Sequence, residues 1–312
     1  MLALLNVAPL LVWVFGLGSF SAWFLFVSLP ALVVIAVAAV VAWRTPGYER
    51  LRLVISLGAL GGLIGTVGYD LFRVPFVMAG RGVLAPIESY GVLLTDATAS
   101  SDVTAFAGWT YHFLNGICFG IAYAAAMLGR SLWWAVLWAM VLESATIVTP
   151  FATYYALTGK YDVIAIAYAA HIPYGLALGW MTRRPREMKA KLDEISPWTV
   201  PAAFGLLLVV LLVWLRPFST GTQVATFDVG TGKLQPTWVR VPTGTCVPVS
   251  NSSDAPIQLE GIPDAPEVPA GGEATVCITD PGVRRIGVAG TGRSSGYVIS
   301  DPEMPGAVTS GG

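Results

Sequence analysis

The feature that most constrains this chain is a series of apolar stretches long enough to cross a bilayer. A spanning helix needs about 20 mostly apolar residues. Leu53 to Phe76, Val103 to Gly129, Leu132 to Phe151, Val163 to Met181 and Trp198 to Leu215 all meet or approach that length. The stretch before Arg44 is apolar too, with a full span from Phe20 to Trp43 behind a lead-in, Met1 to Gly18, just under spanning length. It lacks a basic start and outruns the hydrophobic region of a cleavable signal, so it reads as a retained membrane segment. Six or seven spans follow. With 55% hydrophobic and 12% charged residues among 312, and a mean hydropathy of +0.67, the chain lies far from the roughly 25% charge of soluble domains. A net charge of −1 supplies no basic field for nucleic acid, which is excluded as a partner.

Lys and Arg give the helices a direction, because cytoplasmic loops carry an excess of them. Arg44, Arg50 and Arg52 follow the first long span, Arg130 lies in the tight turn between the third and fourth, and Arg183, Arg184, Arg186, Lys189 and Lys191 follow the fifth. One alternating topology puts all nine on the same side. That side is then the cytoplasm, and everything after Arg216 is extracytoplasmic. The expected organisation is a transmembrane helical domain over residues 1–216 and an outer β domain over 217–312 of a multi-pass cell-membrane protein.

Ionisable groups at membrane depth cost at least about 2.5 to 3.5 kcal/mol each on insertion scales, so they face the protein interior and mark function. Only two His occur in the chain, His112 and His171, and both fall inside predicted spans with Asp70 and Glu143. At about 1.5 Å per residue, the four lie at a common depth in the outer half of the membrane, each on a different helix. There is also an internal echo. His112-Phe-Leu-Asn-Gly116-Ile-Cys-Phe-Gly120 and His171-Ile-Pro-Tyr-Gly175-Leu-Ala-Leu-Gly179 share the frame H-x3-G-x3-G, each on a helix that follows one bearing a single acid. A spacing of four places the His and both Gly on one helix face, smooth enough to approach another helix or a flat ligand.

Three arrangements suit this set. Asp70, His112, Glu143 and His171 together match the donor preferences of zinc, iron, manganese or copper, with Tyr111, Asn115, Tyr168 and Arg73 as outer hydrogen-bond partners. His112 and His171 alone also satisfy the minimum for the axial ligands of a b-type haem, with the glycine faces making room for the porphyrin. Without a cofactor, acid and imidazole pair across helices as structural glue, or as a proton or substrate relay in a transporter or a non-catalytic subunit. An Asp70–Arg73 ion pair would remove Asp70 from a ligand set. Gly58, Gly61, Gly62 and Gly65 read as a close helix-packing face. The outer loop from Ala79 to Asp102 is long enough to cover the site or to pack under the outer domain. Asn251-Ser-Ser fits a glycosylation acceptor.

From Thr222 onward the pattern changes to short alternating runs, such as Thr237-Trp-Val-Arg-Val and Thr245-Cys-Val-Pro-Val, between Gly, Pro, Asn and Asp clusters. That spacing signals a small antiparallel sandwich. Val241-Pro-Thr-Gly-Thr-Cys-Val-Pro-Val-Ser-Asn-Ser-Ser-Asp-Ala-Pro and Ala270-Gly-Gly-Glu-Ala-Thr-Val-Cys-Ile-Thr-Asp-Pro-Gly resemble consecutive pieces of the cupredoxin family, over about 80 residues. The resemblance implies a cupredoxin-like sandwich in which the strands carrying Cys246 and Cys277 are neighbours, so that these two form a disulfide, which an extracytoplasmic location permits. It also implies a copper site, which this sequence lacks. Blue copper needs two His and a Cys thiolate, and no His follows His171. Gln258 stands where the first His is expected, and Val288 to Gly296 has neither Cys nor His.

The leading expectation is a membrane metalloprotein centred on Asp70, His112, Glu143 and His171. By analogy with the outer domain's relatives it performs redox chemistry, with other membrane subunits or an extracytoplasmic redox partner. The alternatives are the cofactor-free relay and the haem carrier.

Overall fold

The computed structural model describes residues 1–194, 226–229, 234–262, 265–289 and 295–304. The predicted span Trp198 to Leu215 lies outside the described residues. A 3-10 turn, Leu2–Val7, leads into α1 (Ala8–Val14), so the lead-in folds as a short broken helix. Next come α2 (Phe20–Trp23), a π turn and α3 (Leu29–Arg44), continuous as one apolar helix Phe20–Arg44. The bundle is completed by α4 (Glu49–Met78), α5 (Ala85–Leu94), α6 (Asp102–Met127), α7 (Leu132–Val148), the short α8 (Phe151–Tyr154), α9 (Tyr161–Thr182) and α10 (Pro185–Asp193). Among the described residues three helices, Phe20–Arg44, Glu49–Met78 and Tyr161–Thr182, are long and apolar enough to cross a membrane. Val33, Val34, Val37 and Val41 stand exposed on α3, as suits a face solvated by lipid rather than water.

α4 is the axis of the bundle, with α6 on one side and α9 on the other, and α7 packs on the far side of α9. Glycine makes this possible. A Cβ on Gly62 would sit 2.3 Å from the Gly116 carbonyl oxygen, and one on Gly120 would sit 2.2 Å from that of Gly58. Beside them on the same side of α4, a Cβ on Gly65 would meet the Tyr174 carbonyl oxygen of α9 at 2.9 Å. The second pair of helices repeats the device, with a Cβ on Gly175 falling 2.5 Å from the Val136 Cα. The glycine faces are therefore filled by neighbouring backbone and leave no slot for a flat ligand. Pro75 and Pro173 sit inside continuous helices, and Pro150 falls in the turn between α7 and α8.

The basic residues collect at one end. Arg52 is ion-paired with Asp193 of α10 and lies over the Trp43 ring, and Gly129 N–H donates to the Thr182 carbonyl at 3.0 Å.

The β domain caps the other end. Among the described residues its strands are β1 (Phe227–Val229), β2 (Leu234–Gln235), β3 (Trp238–Pro242), β4 (Cys246–Asn251), β5 (Ile257–Glu260), β6 (Glu267–Val268), β7 (Glu273–Cys277), β8 (Gly282–Val288) and β9 (Ser295–Asp301). They form two sheets, ordered β2-β1-β4-β7 and β3-β9-β8-β5-β6. The inward residues Phe227, Val247, Val249 and Val276 of the first sheet pack with Val241, Ile286 and Val298 of the second. β4 and β7 are antiparallel with Cys246 opposite Cys277, and the two are joined by a disulfide. Asn251 is fully buried, and its amide donates to the carbonyls of Ala255, Val268 and Pro269. It is thus a structural clamp rather than a glycosylation acceptor.

The two parts are joined by more than chain connectivity. β3 is an edge strand, and the segment before α6 completes it: Arg240 N–H donates to the Thr98 carbonyl at 2.8 Å and Ser100 N–H to that of Trp238 at 2.9 Å. Beside this ladder the buried Arg240 donates through Nε to Asp301 Oδ2 at 2.7 Å and pairs with Asp96, while Trp13 Nε1–H donates to Asp301 Oδ1 at 3.1 Å. Burial works against the Arg240 charge, but Asp301 and Asp96 more than offset it and hold the guanidinium above its ordinary value.

Two predictions follow from this packing. Gly116→Val is expected to cost about 1 to 3 kcal/mol or more through overpacking, read as earlier thermal exposure of the buried Cys118 thiol to a thiol-reactive dye. Gly68→Ala, whose Cβ would meet Pro173 at 3.4 Å, is expected to melt with the wild type. Arg240→Met strands the buried Asp301 and is expected to cost about 3 to 5 kcal/mol, read as faster proteolytic release of the β domain.

Candidate functional site

The helix crossings set the height of the ionisable residues. On α6, His112 lies one turn from Gly116, and on α9, His171 lies one turn from Gly175, so each glycine contact fixes the imidazole beside it. On the partner helices, Asp70 lies two turns beyond Gly62 and Glu143 two turns beyond Ala135. The result is two carboxylate–imidazole pairs. His112 Nε2 is 3.1 Å from both oxygens of Asp70. His171 Nδ1 lies 3.6 Å from Glu143 Oε2 and 2.8 Å from the Ala167 carbonyl oxygen. A carbonyl only accepts, so Nδ1 carries a proton and donates it to Ala167.

Arg73 stands beside the first pair. Its Nη2 donates to Asp70 Oδ1 at 2.5 Å and its Nη1 to the Val83 carbonyl at 2.8 Å. Its Nε is buried with no hydrogen-bond partner among the described residues. The guanidinium carbon lies 4.0 Å from the centre of the Tyr69 ring. That ring is packed edge-on against His171 at 4.7 Å and lies 6.0 Å from His112, so Tyr69 touches both pairs. A cavity of about 200 Å³ opens among them, lined by Arg73, Tyr69, His112, His171, Glu143 and, from the segment between α4 and α6, Val83, Pro86, Ile87 and Tyr90. The loop from Ala79 to Asp102 therefore does both things expected of it: α5 roofs the cavity, and residues 98–100 carry the β domain.

The four candidate ligands do not form one group. Among the described residues no three His, Cys, Asp or Glu side chains come together as a set able to hold a metal ion. The physical reason is Arg73. Asp70 already neutralises a guanidinium and accepts from an imidazole, and a cation there would meet a fixed positive charge. A haem does not fit either, because the glycine faces meant to admit it are closed by helix contact and His112 Nε2 faces Asp70. The expected outer partners also act elsewhere. Tyr111 Oη donates to the Asn6 carbonyl at 2.9 Å, Asn115 Oδ1 accepts from Asn6 Nδ2 at 2.8 Å, and Tyr168 shares a hydrogen bond with Ser144 at 2.9 Å. Of that group only Arg73 touches the acid–imidazole pairs, and Asn115 reaches the cavity wall.

Tyr69, Thr66 and Tyr174 were not singled out by sequence. Thr66 Oγ1 returns its hydrogen to Gly62, and Tyr174 Oη donates to the Gly116 carbonyl at 2.8 Å, tying α9 to α6. The one available signal was the i, i+4 spacing of Tyr69 and Arg73, which stacks a ring under a cation.

No protein-family model matches the chain, and no curated protein matches it. Among solved structures, the C-terminal β region is similar to cupredoxins. A purple cupredoxin from Nitrosopumilus maritimus is 17% identical, over 25% of this chain and 99% of that one, with a TM-score of 0.23. A reduced amicyanin variant is 13% identical over 27% and 87%, with a TM-score of 0.24, and a second is 11% identical over 26% and 94%, with a TM-score of 0.22. The donor set for blue copper does not fit here. Gln258, exposed on β5, donates to the Ala265 carbonyl, both cysteines of the domain are consumed in the disulfide, and the expected ligand stretch Val288 to Gly296 lies partly outside the described residues. Metal analysis of the full chain after incubation with a transition-metal salt and dialysis is accordingly expected to read the same for wild type and His112→Ala.

Proposed function

We propose that this is a multi-pass membrane protein whose bundle forms a small-solute cavity with two proton-exchanging carboxylate–imidazole pairs, as in a transporter or relay subunit. The basic end faces the cytoplasm, and the β domain is a fixed extracytoplasmic cap. One observation carries the reading: His112, His171 and Glu143 line a single cavity, with His112 at 3.1 Å from Asp70 and His171 at 3.6 Å from Glu143. Charged groups inside a membrane are kept where they pair and where they transfer protons or bind solutes. The orientation is supported by the basic residues gathered opposite the β domain, as cytoplasmic loops are enriched in Lys and Arg.

The test is an infrared difference spectrum of the full chain in lipid nanodiscs as the pH falls. A carboxylic-acid stretch is expected to grow in, to vanish in Glu143→Gln and to shift in His171→Gln. Glu187→Gln, at the exposed basic end, is expected to leave it unchanged. Identical spectra for wild type and Glu143→Gln would overturn the reading.

A further inference from the structure

We propose that the cavity is a binding site for a small organic ammonium ion, whose N–H groups donate to Glu143 and whose hydrocarbon part lies against the aromatic wall. This rests on the reading of Glu143 as a proton-exchanging group in a solute cavity, and it names the solute's class.

The first support is a carboxylate without a hydrogen-bond donor. Glu143 is 6% exposed and lines the cavity. Its paired nitrogen, His171 Nδ1, is 3.6 Å away and gives its hydrogen to the Ala167 carbonyl. No other donor among the described residues reaches either carboxylate oxygen. Buried carboxylates are nearly always hydrogen-bonded, and a charged group is the costliest to leave bare. The side chain keeps 8% of its surface, and that surface belongs to the cavity wall.

The second support is the charge of the layer. Tyr69 and Arg73 on α4, Tyr90 on α5, His112 on α6, and His171 and Tyr174 on α9 line the cavity with Glu143, and Asp70 stands behind Arg73 and His112. Arg73 is the permanent cation of the described lining, and it is spent. Its Nη2 serves Asp70, its Nη1 serves the Val83 carbonyl, and its Nε is fully covered. Asp70 and Arg73 cancel one another, so the charge of Glu143 is left to a proton or to a cation that enters. A group of that kind in an apolar slab marks a binding or transfer site.

The third support is the shape and chemistry of the wall. An engineered apolar cavity of about 150 Å³ holds benzene, so about 200 Å³ admits one ring or a short chain with a single headgroup. The rings of Tyr90, Phe119, Phe151 and Tyr174 suit an organic cation, through apolar contact and through attraction of the positive charge to aromatic faces. A bare metal ion would find no set of three acid, imidazole or thiol donors among the described residues, and an anion would find no unspent guanidinium.

The experiment is calorimetry on the full chain in nanodiscs near neutral pH, corrected for empty nanodiscs. Benzylamine, which is charged there, is the probe, and benzyl alcohol is its uncharged counterpart. Benzylamine is expected to bind about tenfold or more tightly, the factor one charge-assisted hydrogen bond supplies. Glu143→Gln, which keeps the shape and loses the charge, is expected to bring the two probes to equal affinity. The comparison on wild type stands even where the variant does not fold. Benzylamine added at a pH where the carboxylic-acid band is half grown is expected to diminish that band, because the ammonium takes the place of the proton and the proton passes to the medium. Benzyl alcohol is expected to leave it unchanged. Equal binding of the two probes to wild type, no benzylamine binding at millimolar concentration, a preference that survives in Glu143→Gln, or a band indifferent to benzylamine would each overturn the proposal. If benzylamine fails while the Glu143 band still grows in with falling pH, the ammonium assignment falls and the proton-exchange reading stands. Loss of both removes both.

Discussion

Everything in the bundle depends on how closely α4 can approach α6 and α9. Lipid gives apolar helices no hydrophobic reason to associate, so van der Waals contact and buried hydrogen bonds must hold them together. Both need backbones near one another. Gly58, Gly62 and Gly65 share one broad glycine face of α4, whose two flanks touch α6 and α9. A helix pressed from two sides presents its polar residues to both neighbours at once. Tyr69 and Asp70, with Arg73 one turn further on, therefore meet His112 through Asp70 and His171 through Tyr69.

The charges follow from that geometry. Asp70, Arg73 and His112 form a compact unit whose charges largely cancel, which lowers the cost of holding any one of them in an apolar slab. Glu143 and His171 make the second, looser pair, with the imidazole anchored to its own helix through Ala167. The two units meet at Tyr69, whose ring lies 4.7 Å from that of His171 and 6.0 Å from that of His112.

Much of this is legible in the sequence, and the exceptions have physical causes. Lone acids and histidines in apolar runs identify themselves, and the H-x3-G-x3-G frame places them at one depth. Pattern alone does not reveal what a glycine face touches. Gly116 and Gly175 were equally compatible with a flat cofactor and with another helix, and only the positions of Thr66 and Val136 decide it. Asn6 illustrates a second blind spot: its hydrogen bonds to Tyr111 and Asn115 cross more than a hundred residues, and nothing local announces them. The disulfide was accessible because the cupredoxin resemblance supplied the strand order. The Arg240–Asp96 pair, 144 residues apart, was not, since each partner looks like an ordinary surface charge within its own segment.

The pairing of residues 98–100 with the edge of β3 has a mechanical consequence. A sandwich attached only by a linker can swing, and its exposed edge strand is open to other chains. Here the bundle contributes backbone to the sheet and occupies that edge, so the β domain can tilt or lift only by breaking ladder hydrogen bonds. The same segment runs directly into α6, the helix that carries His112. The edge of the sheet and the imidazole are therefore carried by one unbroken stretch of chain, from Thr98 to the end of α6.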